Sequence, residues 1–312
     1  MEINSTPIFN SLEDALKNLF SANVKVVNSS PVFGGDINKA YKLQLSDNSL
    51  LFMKTNEIRP LSFFAAEAVS LNAIASSGVI RTPKVLAIGS DNSKGKIFNF
   101  LLLMYINSAP KAKNYWEDFA INLAALHQAK TDNFVNSNNS DETTAHFGFL
   151  ENNFIGLTPQ INRPTKSWVT FFRDCRLAPQ FKLASSYFSL EEHKKIEKLL
   201  TNLESYLVEP EKPSLLHGDL WSGNVICDEN GKAMLIDPAC YVGHHEVDLA
   251  MTKLFGGFPN KFYKAYQEAF KLQPGFEARQ DLYNLYHLLN HLNLFGASYL
   301  ADVKAVIKKY VG

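Results

Sequence analysis

Apolar positions near the start of the chain recur at helical spacing. Leu12, Leu16, Leu19 and Phe20 share one stripe behind Ser11, a suitable N-cap, which predicts an amphipathic helix. The period then drops to two. Tyr41, Leu43 and Leu45 alternate with polar residues, Ser46 to Ser49 makes a turn, and Leu50 to Met53 returns as a strand ending at Lys54. A helical segment carries Phe64, Ala68, Leu71 and Ile74, and Val85 to Ile88 and Phe98 to Tyr105 read as strands around the polar turn Ser90 to Lys96. The pattern predicts a sheet of about five strands with one helix. From Tyr115 the periodicity is helical, through Trp116, Phe119, Ala120, Leu123 and Leu126, and it recurs at Ile196 to Leu207 and Leu282 to Phe295. The polar run Thr131 to Thr144 reads as an exposed loop. An α+β protein of two lobes is expected: a small antiparallel sheet lobe over 1–106 and a larger, mainly α-helical lobe over 107–312.

Composition narrows the classes. Among 312 residues, 31 Lys+Arg balance 31 Asp+Glu, so net charge does not hold the chain to nucleic acid or to anionic lipid. With 46% apolar and 20% charged residues, disorder as the dominant state is excluded. The longest nearly apolar stretch, Ile97 to Ile106, is interrupted by Asn99 and falls far short of the roughly 18 residues of a membrane span. Cys175, Cys227 and Cys240 are scattered and form no CxxC pair, which suits a reducing compartment. The first residues carry acids where a signal peptide needs bases. A cytoplasmic protein without nucleic-acid or membrane partners is expected; no sequence feature marks an oligomeric state.

Candidate chemistry lies in an ordered set of positions. Gly34 and Gly35 precede the strand pair, and Lys54 follows Gly35 by nineteen residues, the order of a phosphate-covering glycine loop and a phosphate-pairing lysine in kinases. Glu67, thirteen residues after Lys54, stands on a helix where such a lysine finds its carboxylate partner. Leu103, Met104, Tyr105 and Ile106 lead into polar Asn107-Ser108 as a hinge whose backbone can pair with an adenine edge. The most specific signal is His217-Gly218-Asp219-Leu220-Trp221-Ser222-Gly223-Asn224, a kinase catalytic-loop pattern with Asn five positions after Asp. That spacing lets one carboxylate act as base at an attacking hydroxyl while a nearby amide oxygen reaches Mg²⁺. Asp219 is the expected base and Asn224 a metal ligand. After a strand-turn-strand over Val225 to Cys227 and Ala233 to Ile236, Asp237 supplies the second oxygen ligand, with Asp-Pro in place of Asp-Phe-Gly. ATP and Mg²⁺ are the implied cofactors, and a protein-kinase-like fold follows.

The strings LLHGDLWSGNV, IDPACYVGHHEVDLAM followed by LFGGF, NNFIGLTPQ, and LYHLLNHLNLFG resemble the fructosamine kinase (ketosamine-3-kinase) family, a branch related to aminoglycoside and choline kinases. The resemblance runs from about Val32 to Phe295. It implies ATP-dependent phosphorylation of the sugar 3-hydroxyl of a ketosamine, a glycated amine, amino acid or protein, whose labile product sheds its sugar, so that deglycation repair follows. It implies Asp219 as proton acceptor, Asn224 and Asp237 as magnesium ligands, Lys54 as phosphate anchor, and Leu103 to Ile106 as adenine hinge. Trp221 offers a face to a sugar or packs, Glu246 or Asp248 offers charge to its cationic amine, and His217 and His244 orient hydroxyls or brace the loop, as Asp248 with His217 also can; Tyr241 joins the expected substrate side. His245 stands where many relatives carry arginine, which leaves its role open. Asn152, Asn153 and Gln160 offer amides either to a sugar or to the scaffold.

Rival readings are weaker. His287 with His291, and His244-His245-Glu246, mimic metal clusters but lack the glutamate beside the first histidine of a metalloprotease helix. A protein kinase would show DFG and APE segments. A choline- or aminoglycoside-type phosphotransferase would keep Asp219, Asn224 and Asp237 with a different pocket. A catalytically silent nucleotide-binding module would have no need of the base.

Overall fold

Ser11 caps the first helix through its hydroxyl, which accepts from the Asp14 backbone, and α1 (Leu12–Leu19) follows β1 (Ile8–Phe9). Next come β2 (Val26–Val32), β3 (Lys39–Leu45), β4 (Leu50–Asn56), α2 (Leu61–Ser76), β5 (Val85–Asp91) and β6 (Phe98–Met104). The six strands lie in the order β1-β5-β6-β4-β3-β2, antiparallel except for the parallel pair β1-β5. One sheet face buries Leu43, Leu45, Leu51, Met53, Phe100 and Leu102 with Ala15 and Leu16 of α1. This computed structural model describes residues 5–33, 37–93, 95–136 and 146–312, so Gly34 and Gly35 lie outside the described residues.

Three sheet features differ from the expected pattern. The strand expected to end at Lys54 continues to Asn56, because β3 pairs with it through Thr55 and β6 through Asn56. β2 is an almost wholly exposed edge, so it carries no alternation to read. β1 is two residues long, too short for any periodicity.

The helical part contains α3 (Tyr115–His127), the hairpin β7 (Asn153–Ile155) and β8 (Thr158–Gln160), and α4 (Trp168–Phe171). A π-helical segment, Phe172–Leu177, leads from α4 into α5 (Ala178–Leu183). Then follow α6 (Leu190–Thr201), β9 (Ser214–Leu216), the hairpin β10 (Val225–Cys227) and β11 (Ala233–Leu235), and β12 (Tyr241–Gly243). The chain closes with α7 (Glu246–Leu254), α8 (Asn260–Ala269), α9 (Phe276–Phe295) and α10 (Leu300–Val311). α6 starts before the predicted stripe because Ser189 and Glu192 form a capping box.

Contacts divide the chain into two units. One runs to Tyr115 and takes in Val225–Pro238; the other comprises Trp116–Asn224 and Ala239–Gly312. The β10-β11 hairpin thus joins the sheet-bearing unit, where Arg81 bridges to Met234 and its guanidinium pairs with Asp228. Among the described residues no helix is long and apolar enough to cross a membrane.

Candidate active site

α2 is apolar almost all round, with Phe63, Phe64, Ala66, Ala68, Leu71, Ala73 and Ile74 buried, and Glu67 is its single charge. A carboxylate carried into such surroundings needs a cation. Lys54 of β4 supplies it: its Nζ donates to Glu67 Oε1 at 2.7 Å and to Asp237 Oδ1 at 2.5 Å. Burial pulls the Lys54 ammonium down, but Asp237 and Glu67 together outweigh it and hold the group charged. Burial pushes the Glu67 carboxyl up against the opposing pull of Lys54. Asp237 keeps nearly half its side chain open and sits at φ 54, a left-handed conformation that Asp tolerates better than most residues. Pairing of Val225 with Leu235 returns the chain, two residues before Asp237, to the end of the hairpin where it began.

The second unit holds the HGDLWSGN loop. Gly218 is obligatory there: its φ is +81, and a β-carbon would fall 2.1 Å from the Ala239 carbonyl oxygen. The buried Asp248 carboxylate of α7 receives the backbone N–H of His217 at 2.7 Å and of Gly218 at 2.9 Å. His127 approaches the same carboxylate through Nε2 at 3.2 Å and Tyr266 through Nδ1 at 2.7 Å. Burial would raise the Asp248 pKa, yet the His127 contact and the loop N–H groups hold it below the usual range. Asn224 donates its amide to Asp219, at 2.9 Å to the carbonyl and 3.1 Å to Oδ2, and Asp219 N–H donates to His217 Nδ1 at 3.2 Å. Base and ligand of the predicted loop are therefore bonded to each other.

Other predicted positions have different surroundings. Glu246 is fully buried, its two oxygens taken by Arg279 at 2.6 and 2.8 Å. His244 accepts from the Glu246 backbone through Nδ1 and reaches Gln273 through Nε2, and Tyr241 is buried with the Arg176 guanidinium 3.8 Å from its ring centroid. His217 is buried too, whereas Trp221 is 37% exposed. His245 lies buried against Phe270 and His244, with neither ring nitrogen hydrogen-bonded. Asn153 and Gln160 peg the β7-β8 hairpin to the carbonyls of Cys240 and Ala239, a scaffold use of those amides.

Leu103 is buried within β6, and Met104, Tyr105 and Ile106 line an open cleft of about 450 Å³ with Arg81, Lys84 and Met234. Two backbone donors of the hinge are engaged by the sheet, Met104 N–H with Lys84 O and Tyr105 N–H with Leu50 O. Sequence reasoning did not find His127, Tyr266, Arg176 or Arg279. His127 ends the α3 stripe, and no local motif announces that it meets α7 more than a hundred residues later.

A family model for fructosamine kinase matches residues 8–312. The protein named "Probable ketoamine kinase" of Synechocystis sp. is 35% identical over 314 residues, 99% of each chain. The chloroplastic protein-ribulosamine 3-kinase of Oryza sativa subsp. japonica is 37% identical over 294 residues, 92% of this chain and 80% of that one. A crystal structure of a Haemophilus somnus 129PT protein assigned as a fructosamine-3-kinase superposes with a TM-score of 0.82 at 28% identity, covering 97% of both chains. Matched along nearly its whole length, the chain belongs to the fructosamine kinase family.

Proposed function

We propose that this protein is an ATP-dependent kinase that phosphorylates the 3-hydroxyl of a ketosamine, the sugar adduct of an amine, and so initiates deglycation. The observation that carries the catalytic part is the Asp219-Asn224 pairing inside a loop anchored by Asp248. The acceptor class is supported by relatives named for ketoamines and ribulosamine. Asp219 takes the proton of the sugar hydroxyl as its oxygen attacks the γ-phosphorus; the bond to the β,γ-bridging oxygen breaks and ADP leaves. Lys54, held by Glu67, anchors the phosphates. In our reading residues 1–106 serve the nucleotide, with Gly34 and Gly35 over its phosphates and Leu103 to Ile106 along its adenine, and 107–312 serve catalysis and the acceptor.

The donor set suits Mg²⁺, a hard cation: Asn224 commits its amide nitrogen to Asp219, which leaves its amide oxygen, and Asp237 brings a half-open carboxylate. When bound, the ion would neutralise charge developing on the phosphates. Trp221 is the acceptor contact we favour, with His217, Tyr241, His244 and Glu246 shaping its surroundings. The compartment we propose is the cytoplasm, supported by three free cysteines.

The test is Mg²⁺-dependent ADP release from ATP with ribulosyl-lysine, fructosyl-lysine, kanamycin and choline each offered. Release with a ketosamine alone is expected; release with kanamycin or choline alone would move the protein to the rival class, and silence with all four would leave a nucleotide-binding module. Asp219→Asn should lower turnover roughly 10²- to 10⁴-fold while ATP binding persists.

A further inference from the structure

We propose that Trp221 and Phe255 form a two-walled aromatic corner that receives the protonated amine of the acceptor, and that Phe255 sets the preference for a charged amine over a neutral sugar derivative. The inference rests on the ketosamine reading and names how that acceptor is told apart from a plain ketose. The two rings stand at 75° with centroids 6.3 Å apart, one wall on the catalytic loop and the other at the end of α7. Phe255 also packs against His291 at 4.9 Å, itself flanked by Tyr299 at 5.1 Å and Phe295 at 5.5 Å, so packing fixes the second wall. Ring faces attract cations, and perpendicular aromatic walls are a recurrent way of holding alkylammonium groups.

A second observation, independent of the rings, points to the same charge. Phe255 is the C-cap of the nine-residue α7, and Gly256 and Gly257 follow at φ 93 and 75, turning the chain at that end. The terminal carbonyls of a helix present partial negative charge, which favours a cation within the last turn. Lys253, the basic residue of that turn, is directed over the rings of Tyr263 and Phe276 at 5.1 and 5.2 Å. Burial keeps the His291 imidazole below its usual pKa, so it remains neutral beside Phe255.

Two carboxylates that the sequence offered to the amine, Glu246 and Asp248, are engaged elsewhere. Glu246 is closed by Arg279, and Asp248 by His127 and two backbone N–H groups of the loop. Beside the Asp219 carboxylate of the same loop, the rings of Trp221 and Phe255 offer a cation their faces.

The experiment compares kcat/KM for a 1-alkylamino-1-deoxyketose, protonated at pH 7, with that for its neutral 1-O-alkyl ether, in the unaltered protein, Phe255→Leu and Phe255→Tyr. Phe255→Leu should lower kcat/KM for the amine roughly 2- to 30-fold, the span of a cation–π contact, with a much smaller change for the ether, and Phe255→Tyr should restore the amine preference. Equal losses on both acceptors, or no loss on the amine, would overturn the corner. Failure of the unaltered protein to phosphorylate either acceptor would instead overturn the ketosamine reading, and the corner with it.

Discussion

Gly223 lies beneath the indole of Trp221, so close that a β-carbon there would sit 2.3 Å from ring carbon Cη2. The glycine of the loop therefore sets where the indole rests. Because Trp221 is half-open to solvent, the ring can move, and Gly223→Ala should displace it without unfolding the protein. The acceptor KM should rise about 3- to 10-fold, the scale of one aromatic contact, with the KM for ATP little changed. Combining Gly223→Ala with Trp221→Ala should add little to the single Trp221 variant; additive losses would show that the glycine acts by another route.

Lys54 is the partner of two carboxylates, so its removal strands both. Lys54→Met should reduce turnover on the order of 10²- to 10³-fold, as loss of a preorganised electrostatic contact does. The same substitution leaves Glu67 buried without its cation, which should lower thermal stability; Lys54→Met combined with Glu67→Gln should recover stability but not turnover. Thermal melts and steady-state rates on the two variants and the unaltered protein separate the two effects.

Arg279 and Glu246 form a bidentate pair with side chains 6% and 0% exposed. Breaking it from one side leaves an uncompensated buried charge, a cost of about 3–5 kcal/mol. Arg279→Met should therefore lower Tm by roughly 10 °C in a domain of this size. Replacing both partners with apolar residues should restore most of the loss, as differential scanning calorimetry would show.

Acid should destabilise the protein before carboxylates titrate. Burial lowers the pKa of His244 to about 3, of His245 to about 2 and of His287 to about 3. The unfolded chain binds these protons near pH 6.5 and the native state does not, so stability is fully present above about 6.5 and falls as pH drops toward 3. Each such proton contributes a slope of about 1.4 kcal/mol per pH unit. Glu67 and Glu246, raised by burial, act in the opposite sense, between their raised values and the ordinary carboxylate range. Urea unfolding between pH 7 and 5 should show the decline, and His245→Leu should flatten it by about one proton.

The Lys54-Glu67 pair and the HGDLWSGN loop were legible as candidates because the chemistry they suggest demands short, ordered spacings. Lys54 and Glu67 could be paired from a strand and a helix thirteen residues apart, and the structure joins them at 2.7 Å. The β10-β11 hairpin was legible for the same reason: its strands and turn are local. Glu246 and His244 carried the right chemistry for a cationic sugar, yet their partners Arg279 and Gln273 lie more than twenty residues away on the chain. No spacing rule reports which of two charges will meet once helices pack.

By itself the sequence determined the α+β pattern of elements and the order of the candidate positions along the chain, since each depends on periodicity or on residues within one loop. Tertiary structure alone decided that Asp248 holds the loop backbone, that Glu246 is closed by Arg279, and that Phe255 stands beside Trp221. Burial and long-range packing assign a side chain its partner, and that assignment separates a group facing a ligand from one holding the frame.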